Sequence, residues 1–145
     1  MPNWCFTHIT LNCSNEKDAS HVYKTIEKWL SHNGKANDFG RKWLGNILIN
    51  SGLYIAEDID RKNHPRCRGY VIWMESYENQ VIIQTDTAWV PMLQMWQEVC
   101  DKIFSEMEIE IIYYAEELGC GVLWSNDPAE ISDSRIEYVP ISETE

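Results

Sequence analysis

Long apolar runs are missing from this chain. No stretch approaches the roughly 20 apolar residues of a membrane-spanning helix, and no charged-then-apolar leader precedes the first predicted strand. A protein that does not cross a membrane and stays in the cytoplasm is expected. Glycine and proline are sparse, at 7 and 5 of 145 residues, with no repeat and no low-complexity tract, so 1–145 reads as a single domain. Catalytic spacings are absent too: there is no Gly-x-Ser-x-Gly, Walker loop, His-Glu-x-x-His or Gly-x-Gly-x-x-Gly. His8, His21, His32 and His64 sit in four different contexts. No enzyme activity and no cofactor are expected.

The cysteines, at positions 5, 13, 67, 100 and 120, form an odd set without a Cys-x-x-Cys pair. They read as reduced, buried thiols. His64-Pro65-Arg66-Cys67 lacks convincing zinc spacing, so no metal is expected.

Basic residues run out towards the end of the chain. Residues 1–105 hold 12 acids and 11 Lys or Arg, whereas 106–145 hold 11 acids and the lone Arg135, so nearly all of the net charge of -11 lies in the last forty positions. Nucleic-acid binding depends on Lys and Arg displacing counterions, so direct DNA or RNA binding is disfavoured and a basic protein partner is favoured.

Periodicity supplies the elements. From Cys5 to Cys13 the chain alternates, with Thr7, Ile9 and Leu11 on one face and Phe6, His8 and Thr10 on the other, which predicts a half-buried strand. Ser14-Asn15 can cap a helix whose apolar stripe is Ala19, Val22, Tyr23, Ile26, Trp29 and Leu30, ended by Asn33-Gly34. Residues 35–68 read as an insertion, with a short amphipathic helix around Trp43, Leu44, Ile47 and Leu48 and then a polar segment carrying Arg61, Lys62, Arg66 and Arg68. Strands follow at 69–75 and 80–87, joined by a Ser76–Asn79 turn. A second helix is predicted from Pro91, with Met92, Trp96, Val99 and Ile103 inward. A strand from Glu106 to Tyr114, a short strand at 122–124 and an acidic extension over 125–145, with an edge strand at 136–139, complete the reading. The order β-α-insert-β-β-α-β predicts an α+β, ferredoxin-like split βαβ fold, its helices on one sheet face.

Met1-Pro2-Asn3-Trp4-Cys5 carries no chemistry of its own, and Trp4 is expected to anchor the edge of the first strand against the core. Together with Thr87-Ala88-Trp89-Val90-Pro91 and Tyr114-Ala115-Glu116-Glu117, the pentapeptide resembles the YubB ferredoxin-like family of phage and conjugative-plasmid proteins. The resemblance covers the first dozen residues and roughly 70–124. It implies a ferredoxin-like fold and a mobile-element context in a bacterial host, without naming an activity.

Within the predicted last core strand, Glu106, Glu108 and Glu110 would form a row on one face at a spacing of roughly 6.6–6.8 Å. Such a row is either an ordinary solvated face or a mimic of nucleic-acid charge, continued by Glu116 and Glu117. The same face should carry Phe6, His8 and Trp73 beside Glu75 and Asp86. Aromatics among carboxylates fit a protein interface better than an RNA platform, unless the extension folds over them. His8 with Asp86 would make an acid/base pair only by the chance any exposed sheet provides.

The leading expectation is therefore a non-enzymatic binding protein that inhibits a host nuclease or other nucleic-acid-binding defence protein. An immunity protein against a nuclease toxin has the same physics. A nucleotide-binding module using Arg61, Lys62, Arg66, Arg68 and Trp89, with Trp73, is the alternative of a different class.

Overall fold

Alternation along the first strand becomes the two faces of a sheet. A computed structural model describes residues 4–31, 42–55, 58–59, 67–117, 119, 121–129 and 135–144. In β1 (Trp4–Asn12), Cys5, Thr7, Ile9 and Leu11 are fully buried, while Phe6, His8, Thr10 and Asn12 stay half-buried on the opposite face. The helix α1 (Glu16–Ser31) starts as its residues predict. The Asp18 N–H donates to Asn15 Oδ1 at 2.8 Å, and Asn15 Nδ2 reaches back to Asp18 Oδ2 at 3.3 Å. Its buried stripe is Ala19, Val22, Ile26 and Leu30, with Trp29 packed at its flank against Phe104 at a ring separation of 5.9 Å.

The insertion contributes to the main core. Trp43 bridges to Tyr70, and its indole N–H donates to the Cys67 carbonyl at 2.8 Å. The expected short helix is α2 (Gly45–Asn50), which buries Ile47 and Leu48 and ends at Gly52 with φ +81°. Residues 60–66, with Arg61, Lys62, His64 and Arg66, lie outside the described residues, as do Met1–Asn3 and Cys120.

The strands β2 (Gly69–Tyr77) and β3 (Gln80–Ala88) form a hairpin closed by only Glu78 and Asn79, with Glu78 at φ +53°. Pairing therefore runs through Ser76 and Tyr77, which the sequence places in the turn. A bulge at Ile72 shifts the β2 register, and Gly69 lies close enough to Thr87 that a Cβ there would meet its Cγ2 at 2.5 Å. The helix α3 (Leu93–Lys102) begins two residues later than Pro91: Met92 is its N-cap at φ +55°, and both Pro91 and Met92 are buried. Leu93, Met95, Trp96, Val99 and Cys100 face inward. Ile103 sits half-buried at the C-cap, and Phe104 takes the buried place after it.

The strand expected from Glu106 is β4, which starts later, at Glu110, and runs to Glu117. Its first pairing is Asn12–Glu110. Cys13 continues the β1–β3 register, donating its N–H to the Asn79 carbonyl and accepting from the Asn79 side-chain amide, while pairing with β4 stops at Asn12. Residues 106–109 instead leave α3 through a turn in which the Met107 N–H donates to Phe104 O at 2.9 Å. Met107 and Ile109 are half-buried there, so the alternation of Glu with apolar residues arises without a ladder.

Two short strands, β5 (Val122–Ser125) and β6 (Ile136–Tyr138), extend an α+β architecture: among the described residues, a six-stranded sheet in the order β2-β3-β1-β4-β5-β6, with three helices. β3 is antiparallel to β2 and to β1, β4 is antiparallel to β1, and β6 runs parallel to β5. All three helices share one apolar cluster with Ile9, Leu11, Ile83 and Tyr113, so they cover the same sheet face. Past β6, a 3-10 turn at Ile141–Glu143 lies against α3, where Gln94 Nε2 donates to the Ser142 carbonyl at 3.2 Å. The described part of the extension thus goes to the sheet edge and the helix layer, away from Phe6 and His8. No helix among the described residues is long and apolar enough to cross a membrane.

Candidate protein-binding face

Pairing register sorts the side chains of the helix-free face into rows. One row runs Tyr70, Asp86, Phe6, Glu116; the next runs Trp73, Gln84, His8, Tyr114. Further along, Glu75, Ile82, Thr10 and Ile112 line up, and then Tyr77, Gln80, Asn12 and Glu110. Strands lie about 4.8 Å apart, so Asp86 and Glu116 stand roughly 10 Å from each other with Phe6 between them. Glu75 and Glu110 occupy the far end. Among the described residues, no strand of the sheet contains a Lys or Arg. The Lys residues of the elements sit in α1 and α3, on the other side.

Trp73 is 42% exposed at the bulged edge, while Phe6, His8 and Tyr114 are half-buried. Tyr70 and Tyr114 belong to this face without having been singled out by sequence. Cross-strand polar contacts order the surface: Gln80 Nε2 donates to Asn12 Oδ1 at 2.8 Å, and Gln84 Nε2 meets His8 Nδ1 at 3.5 Å. His8 thus faces an amide, and Asp86 is opposite Phe6 instead, so the register does not build the His8–Asp86 pair.

The expected carboxylate row is only partly a row. Glu110 begins the strand, whereas Glu106 and Glu108 are exposed in the turn before it. Glu108 joins Glu110, Asn12 and Ser14 around a shallow hollow at the sheet end. Glu116 shares the face with Phe6. Its neighbour Glu117 is opposite Cys5, and alternation sends it to the other face. Burial foremost, with Glu117 and Asp86 adding charge repulsion, pushes the Cys5 thiol up to about 11. Cys5, Cys13 and Cys100 are buried free thiols, and Cys67 is buried as well.

Of the residues expected to hold a nucleotide, Arg68, Trp73 and Trp89 are described, and the fold brings Arg68 and Trp89 to the same end of the sheet. The Ala88 N–H, next to Trp89, donates to the Arg68 carbonyl at 2.8 Å. Trp73 lies further along, two register rows from Ala88.

Trp4 also differs from its expected role. It is 42% exposed and opposite Ala88, which makes it part of the helix-free face instead of the core. Alternation with Phe6 and His8 puts Trp4 on that face. Among the described residues, no group of three or more His, Cys, Asp or Glu could hold a metal ion. Against known proteins, no family model, curated protein or solved structure matches this chain.

Proposed function

We propose that this chain is a non-enzymatic binding protein of phage or mobile-element origin that blocks a host nuclease or other nucleic-acid-binding protein. The contact is made by the helix-free face and the acidic turn beside it: Glu110, Glu116, Phe6 and Trp73, with Glu106 and Glu108 at the rim. One observation carries the reading. A sheet whose described strands hold no Lys or Arg presents carboxylates on both sides of an aromatic strip, which suits a basic protein surface and repels phosphate. The strand order β2-β3-β1-β4, with β3 between β2 and β1, supports a ferredoxin-like split βαβ core, and the YubB resemblance supports the mobile-element setting. An immunity protein against a basic nuclease toxin would use the same face.

The test is affinity capture from a bacterial host lysate with the natural chain and with Glu106, Glu108, Glu110 and Glu116 reversed to Lys. The expected result is a basic nucleic-acid-binding protein, displaced by added duplex DNA and lost with the reversed variant. Capture unchanged by the reversal at low salt would sink the proposal.

The nucleotide-binding alternative is favoured by the backbone bond from Ala88, next to Trp89, to the Arg68 carbonyl, which puts both residues at one end of the sheet. A nucleotide at a hundred times its dissociation constant would add about 2.7 kcal/mol of stability, visible as a thermal shift.

A further inference from the structure

The two edges of the sheet are guarded unequally. At one, β6 is three residues long, with Arg135 before it and Pro140 soon after. Short length, charge and proline keep an edge from pairing with another chain. At the other, β2 runs for nine residues without Lys, Arg or Pro, and its Ile72, Trp73 and Tyr77 are 43%, 42% and 60% exposed.

Partners for the outer side of β2 stop early. The Val71 N–H donates to the Lys42 carbonyl at 2.9 Å, and Trp43 bridges to Tyr70. Lys42 ends this short ladder: its φ is +67°, and its own N–H turns to the Leu30 carbonyl in α1. Past the bulge at Ile72, Trp73, Glu75 and Tyr77 pair inward with Gln84, Ile82 and Gln80, the last across a two-residue turn. Alternation then points the N–H and C=O of Met74 and Ser76 outward, and no described residue pairs them. Such groups are completed by the backbone of an extended chain.

Side chains along the edge decide which chain fits. On the helix side, Tyr23, Leu30 and Met74 line a hollow of about 410 Å³ suited to apolar side chains. Glu27 and Lys42, also at its wall, offset each other in charge, and Glu27 already accepts from the Tyr23 hydroxyl at 2.8 Å. On the helix-free side, Trp73, Glu75 and Tyr77 form a strip whose one charge is a carboxylate, and Glu78 follows in the turn. A second copy would set two Glu75 side chains on one strip and bring together chains of net charge -11. A strand alternating apolar and basic residues suits both sides.

We infer that the outer edge of β2 takes an extended strand of the basic partner protein, paired to Met74 and Ser76. Its apolar side chains enter the hollow, and its basic ones lie over Trp73 and Glu75. The inference rests on the protein-binding reading and deepens it, because Trp73 and Glu75 belong to the edge and to the helix-free face alike.

The test is titration of the 15N-labelled chain with a short peptide alternating Lys and Val, and with the same peptide methylated on its backbone nitrogens. The Met74 and Ser76 amides should shift with the Lys–Val peptide and exchange more slowly. Methylation keeps every side chain and removes the backbone donors, so binding should fall roughly tenfold or more. Ser76→Pro removes an outward N–H while leaving the β2–β3 ladder its bonds, and should weaken binding about as much. Glu75→Gln should weaken it roughly threefold. Equal binding of the methylated peptide, or shifts at His8 and Tyr114 with Met74 and Ser76 unmoved, would overturn the edge and leave the protein-binding reading standing. No binding of either peptide at low salt would overturn both. Concentration-dependent dimerisation of the chain alone, with Met74 and Ser76 protected, would assign the edge to a second copy and overturn the inference.

Discussion

Tyr113, buried in β4, donates its hydroxyl to the carbonyl of Val139, just past β6, across two intervening chain segments. That contact ties the C-terminal segment to the main core. Its neighbours reinforce it: Ser125 Oγ donates to Tyr113 O at 2.8 Å, and the Val139 N–H donates to Ser125 O at 2.9 Å. Burial also pushes the Tyr113 phenol well above its ordinary range, so the hydroxyl remains a donor.

Tyr113→Phe should therefore cost about 1 kcal/mol, the net worth of one buried hydrogen bond. The loss should be local. Amide exchange of Val139 and Thr144 should accelerate, while β1 and β3 amides keep their protection; uniform loss across the sheet would contradict the assigned role.

Thr85 is fully buried, and its hydroxyl has no hydrogen-bond partner among the described residues. A buried hydroxyl without a partner costs about 1–3 kcal/mol, and valine has nearly the same shape. Thr85→Val is expected to stabilise the protein by about 1 kcal/mol in denaturant unfolding. A destabilised variant would mean the hydroxyl has a partner after all.

Gly69→Ala should be among the most disruptive small substitutions. A Cβ there would approach the Asp86 carbonyl to 2.8 Å as well as the Thr87 side chain, and backbone cannot move aside as a flexible side chain can. The hairpin would have to part at its base, at a cost of about 2–3 kcal/mol by chemical denaturation. Gly52→Ala, where nothing lies within 4 Å, separates steric from conformational cost, because its φ of +81° leaves only strain.

Cys100 reports on pH. Burial first, then the nearby Asp101 and Cys13, pushes its thiol up to about 12. The folded state thus holds its proton where the unfolded chain, ordinary near 9, has released it. The contribution is complete below pH 9 and is lost as pH rises from there towards 12. Unfolding free energy should fall by about 1 kcal/mol between pH 8 and 10 on this account. Cys100→Ala lowers stability outright, but its slope over that range should be shallower. An equal slope would remove Cys100 as the cause.

Much of the architecture is legible in local pattern. Alternation in Thr7, Ile9 and Leu11 against Phe6 and His8 requires a two-faced strand, and the Asn15 cap with the Ala19–Leu30 stripe requires α1, because each signal is carried by residues close in sequence. Charge segregation is legible too, since it is a property of composition. Strand ends and faces are not. The Glu106–Ile111 stretch alternates as well as any strand, yet pairing begins only at Glu110, because β1 ends opposite it at Asn12. A strand exists only where a partner supplies its hydrogen bonds, and that partner lies about a hundred residues away. The same dependence separates Glu116 from Glu117 and sets His8 opposite Gln84. It also exposes Trp4 opposite Ala88, where tertiary pairing turned an expected core anchor into a surface group.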